Sequence, residues 1–360
     1  MNVIYFILIL GIIVMFHELG HMLSAKLFGV YVREFSIGFG PKLWSRKGRE
    51  TVYAVRAVPL GGYTAMVEEE TTPLAYDDQN RPTEILTVPK ERTFYGVAVW
   101  KRILILLAGP LFNLLLACLV FTLAFQINGF VNEYPEPVIA TVQENSPAQQ
   151  AGIVAGDRIV KMVFSDGRTV EPETFYDVIA ADQNNTEAVT LYLQRGADTL
   201  MVTVTPQYDS QSQRYLMGIT CGEMVRKELN FFTAIPEGFS YAFEVLDLTV
   251  TSVIGLFTGA SKLDSLGGTI SIYRYTAEAA QYGLVSLLSL CASLSISVGV
   301  MNLIPIPLFD GGRILVSLIE WIRGRRISQK AEAAITYVGL ALIVLLFLFV
   351  TYQDITKLVS

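Results

Sequence analysis

The chain has 360 residues, of which 52% are hydrophobic and only 17% charged, against about 25% charged in soluble domains; its mean hydropathy is +0.45. A formal net charge of -6 gives no basic face for nucleic acid, so none is expected as a partner. Three widely spaced cysteines, Cys118, Cys221 and Cys291, make no disulfide framework, and the lack of a CxxC pair argues against cysteine-held zinc.

The apolar excess is gathered in a few long runs, the mark of membrane spans. The first is Val3 to Phe16. No basic residue precedes it and no small-residue cleavage site follows, so it does not read as a cleaved signal peptide. Its fourteen residues fall short of the roughly 20 that cross a bilayer. The helix must therefore continue through His17-Glu18-Leu19-Gly20-His21 towards Val30. Thr51 to Val58 then alternates and is followed by Gly61-Gly62, a hairpin pattern that can dip toward the membrane. A second span runs from about Val97 to Ile127.

Residues 128–220 read as a β-rich module. Ser146 and Pro147 start a short helix as N-cap and first helical residue, Arg158-Ile159-Val160 follows a turn, and Thr190 to Leu193 pairs with Met201 to Val204. Phe231 to Ala260 is apolar but broken by Pro236, Glu237, Glu244 and Asp247, and is expected to lie on the membrane surface as an amphipathic helix. Gly283 to Leu303 and Ala331 to Tyr352 are the third and fourth spans.

The expected fold is thus a multi-pass α-helical membrane protein with four spans, a membrane-associated β-hairpin and one β-rich extracytoplasmic domain. The parts are 1–127, 128–220, a surface linker 221–282, and 283–360. Lys and Arg crowd the loop from Arg33 through Arg81 to Arg102 and the loop from Arg313 to Lys330. The positive-inside rule places both in the cytoplasm, and the termini and middle module outside a plasma membrane.

The chain has only two histidines, His17 and His21, one helical turn apart on one face. Two neutral imidazoles so placed can bind one Zn²⁺, with Glu18 acting on a water. The plain alternative is two satisfied histidines on an ordinary helix, but ionisable groups within a span are costly and mark function. Zinc hydrolases use three protein ligands and leave a position open. With no third histidine, a carboxylate from another span is the natural candidate. Asp310 qualifies, at the end of Asn302-Leu-Ile-Pro-Ile-Pro-Leu-Phe-Asp-Gly-Gly312. Pro305 and Pro307 stop the helix and leave extended backbone, and Gly311 and Gly312 allow a tight turn. A helix-capping role for Asp310 is the alternative. Asn302 can serve an extended substrate backbone, an oxyanion, or helix packing. Asn113 reads as packing.

With these motifs in order, the chain resembles the site-2 protease family, closest to the bacterial regulator-of-sigma-E type. The resemblance runs through Phe16-His-Glu-Leu-Gly-His21, Gly38-Phe-Gly-Pro41, Pro59-Leu-Gly-Gly-Tyr63, Ala108-Gly-Pro-x-x-Asn113, a PDZ-like module at Ser146-Pro-Ala-x-x-Ala-Gly, and Asn302 to Gly312. It implies one Zn²⁺ per chain held by His17, His21 and Asp310, with Glu18 as catalytic base. It implies cleavage, within the lipid bilayer, of a single-span membrane protein such as a pre-trimmed anti-sigma factor or a remnant signal peptide. It further implies a peptide partner for the PDZ-like module. Substrate would be held extended by Asn302, Pro305 and Pro307 and by a hairpin edge at Thr51, Val52, Tyr53, Gly61 and Gly62. The chain departs from the family at Leu308-Phe309, where Ala-Leu is common, and at Gly267 to Ser271, where Gly-Pro is common. The rival functions are a non-proteolytic membrane metal-binding or transport protein, which has no use for Glu18, and a PDZ scaffold.

Overall fold

A computed structural model describes residues 1–76, 82–182, 185–209, 214–258 and 268–359. Arg81, Gly267 and Ala260, which entered the charge, loop and helix expectations, lie outside the described residues. The chain divides into two compact units, 1–128 with 230–360, and 129–229.

In the first unit, α1 (Asn2–Leu27) runs unbroken through the histidine motif. A sheet follows, from β1 (Val32–Lys47) and β2 (Val52–Met66), and then a hairpin of β3 (Thr71–Tyr76) and β4 (Pro82–Thr87). The second span forms as α2 (Val99–Asn128), with Pro110 inside it.

The second unit starts with β5 (Phe130–Glu133) and β6 (Thr141–Val142). Next come α3 (Pro147–Gln150), β7 (Arg158–Phe164), β8 (Thr169–Val170) and α4 (Phe175–Asp182). The strands β9 (Val189–Arg195), β10 (Asp198–Val204), β11 (Gln207–Asp209), β12 (Arg214–Leu216), β13 (Ile219–Thr220) and β14 (Val225–Glu228) complete it. Its main sheet has the order β10-β9-β7-β8, and Met201 stands opposite Tyr192 as the alternation implied. Ser146 caps α3 as read from the sequence, its Oγ accepting from Gln149 N at 3.2 Å. Buried apolar residues of β7 and β9, among them Ile159, Met162, Leu191 and Leu193, fill the core with Phe175 and Val178 of α4. Asp157 is buried beneath the turn before β7, where Arg195 grips both its oxygens at 2.7 Å. That grip outweighs burial and holds the carboxyl below its usual range. β14 pairs with β5, so residues expected to open a linker belong to this unit.

The first unit resumes with α5 (Phe231–Thr258), α6 (Thr269–Tyr282), α7 (Leu284–Leu303), α8 (Asp310–Arg323) and α9 (Gln329–Val359). Among the described residues, five helices are long and apolar enough to cross a membrane: α1, α2, α5, α7 and α9. The fifth is the segment expected to lie on the surface. Pro236 lies inside it, in its second turn, and does not break it. Ala242 of α5 packs against Ala117, Cys118 and Phe121 of α2. The chain is a multi-pass membrane protein, and its helices expose aliphatic rows such as Leu111, Leu115, Leu119 and Leu123 of α2.

α2 is the hub of this unit, packed by α1, α5, α7 and α8. α1 and α7 run the same way beside it: Ile9 and Cys291 share one cluster at one end, and His17 and Asn302 share one cavity at the other. A buried ion pair ties α2 to α8, with Arg102 Nη1 donating to Glu320 Oε2 at 2.7 Å.

Candidate metal centre and substrate cleft

His17 and His21 are both buried on the α1 face that meets α2. Gly109 of α2 makes that approach possible. A Cβ there would stand 2.5 Å from His21 Nε2 and 2.8 Å from His17 Cε1. Ile105, Gly109 and Asn113 follow one another at i+4 on this face of α2. Each serves a histidine: Ile105 O lies 2.8 Å from His21 Nδ1, Gly109 leaves room, and Asn113 Nδ2 lies 3.3 Å from His17 Nδ1.

Asp310 reaches the same point from α7 and α8. The prolines stop α7 as expected, but the backbone beyond Ile304 is not extended. It closes into a turn in which Phe309 N donates to Ile306 O at 3.1 Å. Pro307 and Leu308 are the central residues, and Leu308 has φ +82°, the arrangement of a type II turn that ordinarily takes glycine at this place. The left-handed conformation costs a leucine roughly 1–2 kcal/mol. Gly311 and Gly312 pack against the carbonyls of Leu303 and Ile306, at distances no side chain could occupy. Asp310 is then the first residue of α8, where the helix dipole favours a carboxylate.

The result is a triangle. Asp310 Oδ2 stands 3.1 Å from His17 Nε2 and 3.2 Å from His21 Nε2, and the two Nε2 atoms are 3.2 Å apart. Because Ile105 O can only accept, His21 Nδ1 carries the proton and its Nε2 presents a lone pair. Asp310 Oδ2 is buried with no hydrogen-bond partner. Electron-rich atoms converging in a buried space repel unless a cation sits among them. Tetrahedral zinc bonds of about 2.0–2.1 Å place ligand atoms about 3.3 Å apart, close to the three separations found. The donor set therefore fits a divalent metal, and His17, His21 and Asp310 are the one such group among the described residues.

A cavity of about 330 Å³ opens on the triangle, lined by Glu18, Asn302, Tyr63, Thr64, Leu308 and Arg313 among others. Glu18 and Asn302, both named from the sequence, line this cavity. The hairpin residues expected to hold substrate, Thr51, Val52, Tyr53, Gly61 and Gly62, do not line this cavity. Thr51 is buried and donates to Val32 O at 2.8 Å, and Val52 and Tyr53 pair with β1 inside the sheet. Gly61 lies under the Phe39 ring and Gly62 against Ser36 O. Tyr63, Thr64 and Met66 are the ones that face the cavity. Pro307 packs against Gly339 of α9, and Pro305 is exposed.

The sheet is placed with care at this edge. Residues 34–37 of β1 lie between 52–55 and 62–65 of β2, so the far side of 61–66 has no strand partner among the described residues. Thr64 Oγ1 fastens it to α1 by donating to Glu18 O at 2.8 Å. Pro59 O at the bend lies 3.4 Å from the position of a Cβ on Gly11, so the hairpin reaches well along α1. Tyr63 is oriented from behind: its Oη donates to Glu34 Oε1 at 2.9 Å, and Arg56 Nη2 donates to the same oxygen at 2.7 Å. Burial pushes the Glu34 carboxyl up, but Arg56, Tyr63 and Lys42 together hold it below its ordinary value.

The family model described as peptidase family M50 matches residues 5–346. The regulator of sigma-W protease RasP of Bacillus subtilis is 32% identical over 424 aligned residues, covering 99% of both chains. The zinc metalloprotease RasP of Bacillus licheniformis is 31% identical with the same coverage. That of Geobacillus kaustophilus is also 31% identical, over 99% of this chain and 98% of its own.

Proposed function

The chain belongs to peptidase family M50, and from that premise we propose that it cleaves a single-span membrane protein within the bilayer, using the cluster on α1 and α8. It is a zinc metalloprotease of the site-2 type. In this reading His17, His21 and Asp310 hold the zinc and Glu18 is the base. The supporting observation is the convergence of three electron-rich ligand atoms with Glu18 and Asn302 in one cavity. Neither rival function accounts for Glu18 at that place.

When bound, zinc supplies Lewis-acid chemistry, polarising the scissile carbonyl and acidifying a water. Glu18, which lines the cavity, would act as the base that accepts a proton from the attacking water and passes it to the leaving amine. Asn302, which lines the same cavity, donates from its amide to the developing oxyanion or to the substrate backbone. A helical substrate hides its carbonyls in internal bonds, so it must be drawn out before attack. The free edge of residues 61–66 is suited to take it as an added strand, with Tyr63 held rigid by Glu34 and Arg56. Gly61 and Gly62 keep that edge close to β1, while Pro305 and Pro307 shape the turn that presents Asp310.

The substrate class is a pre-trimmed anti-sigma factor or a remnant signal peptide. Four of the five long helices cross the membrane. α6 supports the even number: Tyr273 packs on Phe6 at the start of α1, and Asp354 near the end of α9 accepts from Gly268 N at 3.2 Å. In this reading the chain stands at the outer face both when it leaves α2 and when it enters α7. Residues 129–229 form a PDZ-like module outside the cell, able to take a peptide at a sheet edge, and the active centre lies toward the cytoplasm.

Co-expression of the wild type and Glu18→Gln with a trimmed single-span substrate tests the assignment. Loss of cleavage with zinc still bound is expected. An active Glu18→Gln protein overturns the role of Glu18.

A further inference from the structure

Each histidine of the triangle has a second ring nitrogen to satisfy. His21 gives its Nδ1–H to Ile105 O. The corresponding neighbour of His17 Nδ1 is Asn113, which is wholly buried. In the orientation of the structure Asn113 Nδ2 faces the ring, 3.3 Å away, while Oδ1 is buried with no partner. A histidine that binds metal through Nε2 carries its proton on Nδ1. Two donors would then face each other. Turning the amide over exchanges the two atoms, a choice that hydrogen-bond logic decides. Oδ1 then accepts from His17 Nδ1–H. The exchange leaves Nδ2 rather than Oδ1 without a protein partner, so the number of orphans is unchanged and the donor–donor clash is gone.

Asn113 is also unusually well held. Ser295 Oγ of α7 donates to its carbonyl at 2.8 Å. At Gly299, one turn further on, a Cβ would lie 3.3 Å from Asn113 Cβ and 3.2 Å from Pro110 O. α7 therefore presses directly on the α2 turn that carries Asn113, and α7 is the helix that leads to Asp310. One amide stands between the helix that brings the histidines and the helix that brings the carboxylate.

We propose that Asn113 is a positioning residue for the metal: its Oδ1 accepts from His17 Nδ1–H, which sets the tautomer and ring angle that aim Nε2 at the ion. This rests on the metal reading given above. It replaces the packing role read from the sequence.

The test uses the full-length protein in detergent and measures zinc affinity by competition with a chromophoric chelator, with the visible spectrum of the Co²⁺ form as a second readout. Asn113→Leu keeps the volume and removes the acceptor; Asn113→Asp keeps the acceptor. The leucine variant is expected to bind zinc about 10–100-fold more weakly with an altered Co²⁺ spectrum, while its metal-free melting temperature stays near that of the wild type. The aspartate variant is expected to bind within a few-fold of the wild type. If Asn113→Leu does not fold, Asn113→Asp still decides, because a role for the Nδ2 donor requires it to fail. Wild-type affinity and spectrum in the leucine variant, or equal loss in both variants, overturns the inference alone. A wild type that binds no metal, like a His17→Ala control, overturns the site reading and the inference with it.

Discussion

Gly109→Ala is a one-methyl perturbation whose effect can be worked from distances. The new Cβ would sit 2.5 Å from His21 Nε2 and 2.6 Å from its Cε1, and 2.8 Å from His17 Cε1. Ordinary contact begins at 3.4 Å, so the imidazole of His21 must withdraw by about 0.9 Å. Metal–ligand distances tolerate about 0.2 Å, and a misplacement of about 1 Å costs on the order of 100-fold in rate. The backbone offers no relief, because α2 is wedged between α1 and α7. Gly109→Ala is therefore expected to lose at least 100-fold in cleavage of a trimmed single-span substrate, together with most of its zinc at stoichiometric metal. Gly11→Ala is the matched control on α1. Its Cβ meets only Pro59 O at 3.4 Å, and near-normal activity and zinc content are expected. A Gly109→Ala protein with full zinc and wild-type turnover would refute the claim that this glycine makes room for the imidazoles.

Three further outcomes are expected. Arg102 and Glu320 are both buried and paired at 2.7 Å, so Arg102→Met alone should destabilise by about 3–5 kcal/mol, and Arg102→Met with Glu320→Leu by far less; equal melting temperatures for the single and double variants in detergent would contradict this. Burial lifts the Asp182 carboxyl to about 6, against the pull of Asn185 and Arg168. The folded state then binds more protons than the unfolded one between about pH 4 and 6, so stability falls as pH rises through that window. Asp182→Asn should accordingly stabilise residues 129–229 by on the order of 2–3 kcal/mol at pH 7.5 and by almost nothing at pH 4. Hydrogen exchange in peptides of that unit reads the difference, and a gain independent of pH would count against it. Finally, a zinc chelator should lower the melting temperature of the wild type, since free zinc at 100 times its Kd adds about 2.7 kcal/mol. Asp310→Asn should show little response to chelator, and an unchanged response would remove Asp310 from the ligand set.

Much of this protein is legible in short stretches of chain. Long apolar runs mark spans because the bilayer asks for length and composition. α1 had to pass through the histidine motif because the run before it was too short, and α3 starts at its serine cap because capping is local. Phe231 to Thr258 shows where local reading stops. Its acidic residues argue for a surface helix while its length and hydropathy also allow a span, and the packing of Ala242 on α2 depends on what stands beside it. The hairpin shows the same limit. The sequence pointed to residues 51–53 together with 61 and 62; the pairing of 34–37 on both sides leaves only 61–66 as the open edge, and register between strands is settled by contacts far apart in sequence.

What the sequence determined by itself is the chemistry: two histidines one turn apart with a glutamate between them, which helical periodicity alone places on one face. With no other histidine, it also made a carboxylate the natural candidate for the third ligand. Tertiary structure decided the rest, because a metal site is built from atoms a few ångströms apart, and their spacing is invisible in a chain where they lie nearly 300 residues apart. Only the packing of α7 and α8 against α2 brings Asp310 to the histidines. The same packing turns Asn113 from a helix-packing amide into the neighbour of His17.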